Sequence, residues 1–142
     1  MKKASWILLT VAGVAITLAS LVSAAHAYRT GDNYGIGNSS VSKVAAGDIG
    51  VATALRGIRG TSAAYSAAFG VLFLAIVLGP YRRGDIWAWT ALLVAGLTQF
   101  LLVLLRIPLL GTERGMSAAV TQGVLLLVGL LLDVGRLKGP AR

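Results

Sequence analysis

The chain has 142 residues, of which 56% are hydrophobic and 13% charged, and its mean hydropathy is +0.80. Soluble domains carry roughly a quarter charged residues, so this composition excludes an ordinary soluble fold and favours an integral membrane protein. The net charge of +8 does not indicate a nucleic acid partner, because the basic residues lie at the ends of apolar stretches, where anionic membrane lipids attract them. Cysteine is absent, which excludes thiolate metal sites and thiol redox chemistry.

Four apolar stretches are each long enough to cross a bilayer core, which takes roughly 20 helical residues. They cover residues 5–25, 62–79, 87–105 and 116–132, and none has a charged residue at its centre. Short links make the last three antiparallel neighbours. The sequence therefore predicts an all-α fold, an integral membrane four-helix bundle that forms a single transmembrane domain over residues 1–142.

The first stretch ends in Ala25-His26-Ala27, which has the small-x-small form of a signal-peptidase site. Its apolar run is longer than the core of a signal peptide, about 7–15 residues, and begins next to Trp6, which suits a membrane interface. These features favour a retained helix. Cleavage after Ala27 is the alternative, and it would leave three helices.

A longer outer loop, residues 28–60, is predicted between the first two helices. Its first half is rich in Gly, Asn and Ser and is therefore loop-like. From Asp48 onward an N-cap precedes an apolar series, which predicts either a short interfacial helix or an extension of the second span. Pro80 and Pro108 are expected to end the second and third helices, and Asp85 to cap the third.

Polar side chains inside the spans indicate where helices meet, since each must find a partner where water is absent. Gln99 and Gln122 lie at one depth in adjacent antiparallel helices, roughly 10 Å below the outer surface. Ser20, Tyr65 and Ser66 fall near the same depth. The sequence therefore predicts a polar layer in the outer third of the bundle.

Two interpretations of this layer stay open. The first is a hydrogen bond between the two glutamine amides that fixes helix register, worth on the order of 0.6–2 kcal/mol. The second is an outward-facing ligand cavity with Arg59, Arg106 and Glu113 at its mouth. The candidate ligand-binding residues are Gln99, Gln122, Ser66, Tyr65 and Arg106.

Small residues recur at four-residue spacing in the second helix and predict ridges for close helix packing, against either a helix of this chain or another copy of it. One ridge consists of Gly60, Ala64 and Ala68, and the other of Ser62, Ser66 and Gly70.

No catalytic residue, metal site or cofactor is predicted. His26 is the only histidine and lies at a membrane boundary, so an imidazole-rich metal site cannot be assembled. Asp133 lies three residues before Arg136 and is expected to form an ion pair with it or with Arg82 or Arg83. A proton path through this acid is the alternative.

The stretch RRGDIWAW, residues 82–89, joins an arginine-bearing turn to a helix that begins with Trp. It resembles turns in small four-span bacterial membrane proteins, including DoxX-like ones. The resemblance covers roughly the two middle helices and carries over no catalytic residue. The long first outer loop departs from a compact DoxX-like chain.

Three classes of function compete. The favoured one is a small non-enzymatic polytopic membrane protein, either an accessory subunit that packs as a partner or homo-oligomer, or a binder of a lipid-like ligand. A small multidrug-type transporter is the alternative, although an intramembrane carboxylate for proton coupling is missing. A membrane-bound enzyme resembling glutathione transferases ranks last, because the chain has no Glu-Arg-x-x-Arg-like cluster on a helix.

Charge predicts the orientation of a multi-pass protein in the bacterial inner (plasma) membrane. Lys2-Lys3, Arg82-Arg83 and the basic tail fall on one side when four helices are threaded, and the positive-inside rule makes that side the cytoplasm. Reporter fusions at Arg142 and within residues 31–43 should therefore report opposite sides, with both termini cytoplasmic. A cytoplasmic 31–43 loop would contradict this topology.

Overall fold

The computed structural model of the protein describes residues 2–29, 33–111 and 115–135. Within these ranges the chain is almost entirely helical, which confirms the all-α class. The helices are α1 (Lys2–Tyr28), α2 (Val41–Ala45), α3 (Ile49–Ile76), α4 (Ile86–Leu104), α5 (Arg106–Leu110) and α6 (Met116–Leu131). A small antiparallel hairpin, formed by β1 (Gly35–Ile36) and β2 (Ser39–Ser40), precedes α2.

Three helical runs in the described ranges are long and apolar enough to cross a membrane, namely Ala4–Tyr28, Ile49–Tyr81 and Ile86–Leu110. Helix α6 is also apolar but has 16 residues, which span roughly 24 Å against a hydrocarbon core of about 30 Å. The fold is thus that of a small helical membrane protein.

Helix α3 is much longer than the predicted second span, because it begins at Ile49 rather than at Ser62. The Asp48 carboxylate caps it by accepting hydrogen bonds from the backbone N–H groups of Gly50 and Val51, at 2.7 and 3.1 Å. The segment after Asp48 is therefore an extension of the second span and not a separate interfacial helix. Arg59 therefore lies on a long helix, and the irregular part of the loop ends at Asp48.

The two prolines do not themselves end helices, although α4 ends at Leu104, one residue from the predicted end of the third span. Pro80 lies inside a π-helical turn, Val77–Tyr81, that continues α3. The wider turn accommodates a residue that has no N–H and whose ring crowds the carbonyl four residues earlier. Pro108 lies in the first turn of α5, where a missing N–H breaks no helical hydrogen bond.

Helix α1 is central to the packing. It packs along α3 on one side and α6 on the other, while α6 also packs against α4. We call the end at the π-turn the inner end, and there the core forms from Leu9, Phe73, Val77, Tyr81, Ala88, Leu92, Leu126 and Leu130. Helices α3 and α4 make few contacts with each other although they are consecutive. The bundle is therefore closed at the inner end and open between α3 and α4 toward the outer end.

Glycines allow the helices to approach closely. A Cβ atom on Gly70 would lie 3.1 and 3.2 Å from the backbone N and Cα of Thr17, so α1 and α3 are nearly in backbone contact there. Other glycines receive large side chains from the neighbouring helix. Leu74 and Phe73 cover Gly13, Leu9 covers Gly129, Leu126 covers Gly96, and Phe100 covers Gly123.

The predicted ridges of α3 are only partly used within the chain. Gly60 lies beneath the ring of Tyr28, and Gly70 lies against α1. Ala64, Ala68, Ser62 and Ser66 are exposed in the single chain, so their packing against another copy stays a prediction. The face that α3 buries follows steps of three, seven, three and four residues, through Gly60, Ala63, Gly70, Phe73 and Val77. This spacing averages near 3.5 and keeps one face toward a neighbour, whereas a strict four-residue row drifts around the helix.

We expect Gly70→Ala to destabilise the protein by roughly 1–3 kcal/mol, because the added methyl must push two backbones apart. Gly57→Ala is the matched control on the same helix, since a Cβ there meets no atom within 4 Å. It should be neutral or slightly stabilising. Thermal unfolding in detergent micelles measures both, and equal melting midpoints for the two variants would contradict the close α1–α3 contact.

Candidate ligand cavity at the outer end

A cavity of about 830 Å³ opens at the outer end of the bundle. Helices α1, α3, α4, α5 and α6 all contribute to its walls, and the β1–β2 hairpin borders it. It occupies the space that α3 and α4 leave between them. Its volume falls within the range of roughly 300–1,000 Å³ that is typical of small-molecule sites.

Gln99 and Gln122 both line this cavity. They also border a smaller pit of about 30 Å³, which lies deeper in the bundle among Phe69, Phe73 and Phe100. In the part of the chain that the structure describes, neither amide forms a hydrogen bond, and so none joins the two. The pit has room for about one water molecule. The two glutamines thus line the same cavity, and their predicted position at one depth stays a prediction.

Arg59 is held at the mouth of the cavity by two contacts. Its Nε donates a hydrogen bond to Ser23 Oγ of α1 at 3.1 Å. Its guanidinium carbon lies 4.1 Å from the centroid of the Tyr34 ring, which is a cation–π distance. The side chain is thus fixed by one residue from α1 and one from the loop.

Arg106 also lines the cavity, from α5. Together with Arg59 it gives the lining two permanent cations, and His26 lies in the same wall. Among the described lining residues there is no Asp or Glu. Glu113, which the sequence analysis placed at the mouth, lies outside the described residues.

The remaining predicted ligand-binding residues divide into two cases. Ser66 lines the cavity, whereas Tyr65 is 74% exposed and is not part of the described lining. Adjacent helical residues point about 100° apart, and here the cavity lies on the Ser66 side while Tyr65 points away from it. Sequence reasoning missed Ser23 and Tyr34, which orient Arg59, because their contacts join distant segments and leave no local signal.

A second polar cluster lies at the inner end and has a structural role. Ser5 is fully buried and donates a hydrogen bond to the Gly129 carbonyl at 2.7 Å. Its oxygen lies 2.5 Å from Tyr81 Oη, so the tyrosine hydroxyl donates to the serine. Trp89 Nε1 donates to the Leu130 carbonyl at 3.1 Å. Side chains from α1 and α4 thereby bond to carbonyls of α6 in a place where water is scarce.

Charged groups surround this inner cluster. Arg82 lies over the Trp6 ring, with 4.9 Å between the guanidinium carbon and the ring centroid. Asp133 is only 3% exposed, four residues after Gly129. Arg136, one of its expected partners, lies outside the described residues, so that ion pair stays a prediction.

Within the described ranges no three His, Cys, Asp or Glu side chains come close enough to hold a metal ion. No protein-family model matches the chain, and no curated protein or solved structure is significantly similar to it. The DoxX-like resemblance of residues 82–89 therefore stays a prediction. A function for this chain must therefore be argued from the geometry of its outer cavity.

Replacing Gln99 and Gln122 together by Leu should leave the stability of the protein unchanged or slightly raised, because no hydrogen bond between the amides is lost. Ser5→Ala is the contrasting control, since it leaves buried polar groups without a partner and should cost roughly 1–3 kcal/mol. Thermal unfolding of the single and double variants tests this. If the two Leu substitutions change the free energy of unfolding in a strongly non-additive way, the amides bond to each other and stabilise the contact between α4 and α6.

Proposed function

We propose that this chain is a small multi-pass membrane protein that binds a lipid-like amphiphile in its outer cavity, as a binding protein rather than an enzyme. The single observation that carries the proposal is the composition of that cavity. Its lining combines the two arginines Arg59 and Arg106 and several uncharged polar side chains with apolar surface from Ile16, Leu55 and Ile58. A ligand with a polar head and an apolar tail satisfies both environments.

The proposed orientation has four spans, with both termini and the π-turn on the cytoplasmic side of a bacterial inner membrane. Arg82 and Arg83 support it through the positive-inside rule. Trp87 supports it as well, since it is 58% exposed at the inner end, where aromatic rings favour the headgroup layer. The cavity then opens to the outer surface and, between α3 and α4, toward lipid. Tails can enter from the membrane while heads stay near the interface.

A second candidate function is that of an accessory subunit. The exposed small residues of α3, Ala64 and Ala68 among them, favour close packing against a helix of another copy or another protein. This surface is separate from the described cavity except at Ser62 and Ser66, which belong to both.

Binding of a neutral amphiphile tests the first candidate. The protein, reconstituted in nanodiscs, should quench or shift the fluorescence of a tail-labelled monoacylglycerol with saturable binding. Ser66→Trp places a large side chain in the cavity and should weaken binding at least tenfold. Val71→Trp is the matched control on the same helix, because Val71 is exposed and lies outside the described lining. Equal binding by both variants would contradict the proposed site.

A further inference from the structure

We infer that the outer cavity is selective for amphiphiles whose head is an oxyanion, a phosphate or a carboxylate, and that Arg59 and Arg106 bind this head. The inference rests on the proposed function and adds the chemistry of the ligand to it.

The charge of the cavity is the first argument. Its described lining has two arginines and no carboxylate. Arginine remains protonated at any physiological pH. Arg59 is half-buried and Arg106 is exposed, and an anion between two cations that border one space reduces their mutual repulsion. A neutral head would bring no counter-charge to the two guanidinium groups, and the described lining has none.

The geometry of Arg59 is the second argument. Ser23 accepts a hydrogen bond from its Nε–H, and its guanidinium carbon lies over the Tyr34 ring. Among the described residues, its four terminal N–H donors form no hydrogen bond. These donors form the planar fork that binds two oxygens of a phosphate or carboxylate. Because the side chain is already held in place, little further conformational entropy is lost when the anion binds.

The position of Arg106 is the third argument. It comes from α5, whereas Arg59 comes from α3, so cations from two separate helices border the same space. An oxyanion has enough acceptor oxygens to bond with both. Arg56 lies one turn before Arg59 on α3 and borders a different pocket, next to Asp48. It therefore offers a matched control, with the same charge on the same helix but outside the described lining of the cavity.

The test compares two lipids that share one labelled tail, lysophosphatidate and monoacylglycerol, on the full chain in nanodiscs of zwitterionic lipid. The wild-type protein should bind the lysophosphatidate at least about tenfold more tightly. Arg59→Gln and Arg106→Gln should each reduce this ratio, and the double variant should bring it close to one. Affinity for monoacylglycerol should stay unchanged in all of them, which also shows that the variants are folded. Arg56→Gln should keep the wild-type ratio.

The outcomes separate this inference from the proposed function. Equal affinity of the wild-type protein for both lipids overturns the inference and leaves the amphiphile site standing. Binding of neither lipid overturns both. If Arg56→Gln reduces the preference for lysophosphatidate as much as Arg59→Gln does, the preference comes from general attraction to a basic surface. That result overturns the assignment of head binding to Arg59 and Arg106.

Two further probes distinguish the source of the oxyanion. A fatty acid with the same labelled tail that shows the same dependence on Arg59 and Arg106 supports carboxylate as well as phosphate recognition. Inorganic phosphate should displace lysophosphatidate only weakly, because it lacks the tail. Displacement by inorganic phosphate at equal concentration, together with no binding of monoacylglycerol, would overturn the amphiphile and identify a free anion as the ligand.

Discussion

Close approach of helix backbones at glycine is the constraint on which the rest of this structure depends. In lipid, an apolar side chain gains little free energy when it exchanges lipid contacts for contacts with another helix. Helix association therefore relies on close dispersion contacts and on hydrogen bonds. Gly70 brings α3 onto α1, Gly129 brings α6 onto Leu9 of α1, and Gly96 brings α4 onto Leu126 of α6. Each helix pair that packs extensively is joined at such a position. Helices α3 and α4 lack a comparable contact, and the cavity lies between them.

Contacts at the inner end hold the bundle together although α3 and α4 do not pack closely against each other. The π-turn places Tyr81 in the core, where it bonds to Ser5, and Ser5 bonds to the backbone of α6. One serine hydroxyl thus links α1, the π-turn and α6. With three elements fixed at this end, α3 and α4 can diverge at the other end without loss of the bundle. The polar contacts that stabilise the fold and those that border the cavity therefore lie at opposite ends.

Sequence reasoning succeeded where the signal was local. The length and polarity of an apolar run predict a helix regardless of its neighbours, which is why the all-α class is confirmed. Depth along a helix is also local, and counting residues predicts Gln99 and Gln122 at one level; in the fold both line the outer cavity. The course of α3 before Ser62 could not be chosen from the sequence, because that segment has both arginines and apolar residues. The π-turn that contains Pro80 brings Tyr81 to Ser5, and a contact between residues 76 positions apart leaves no local signal in the sequence.

The orientation of Arg59 shows why a candidate site needs the folded chain. From the sequence, an arginine near a span end is most simply an anchor in the headgroup layer. In the fold, Ser23 and Tyr34 hold its side chain against the protein, so it does not extend freely toward solvent. An anchor needs no such restraint, since lipid headgroups are mobile and bind a flexible cation equally well. A restrained guanidinium that lines a cavity is instead the kind of arrangement that the proposed recognition of an anionic head requires.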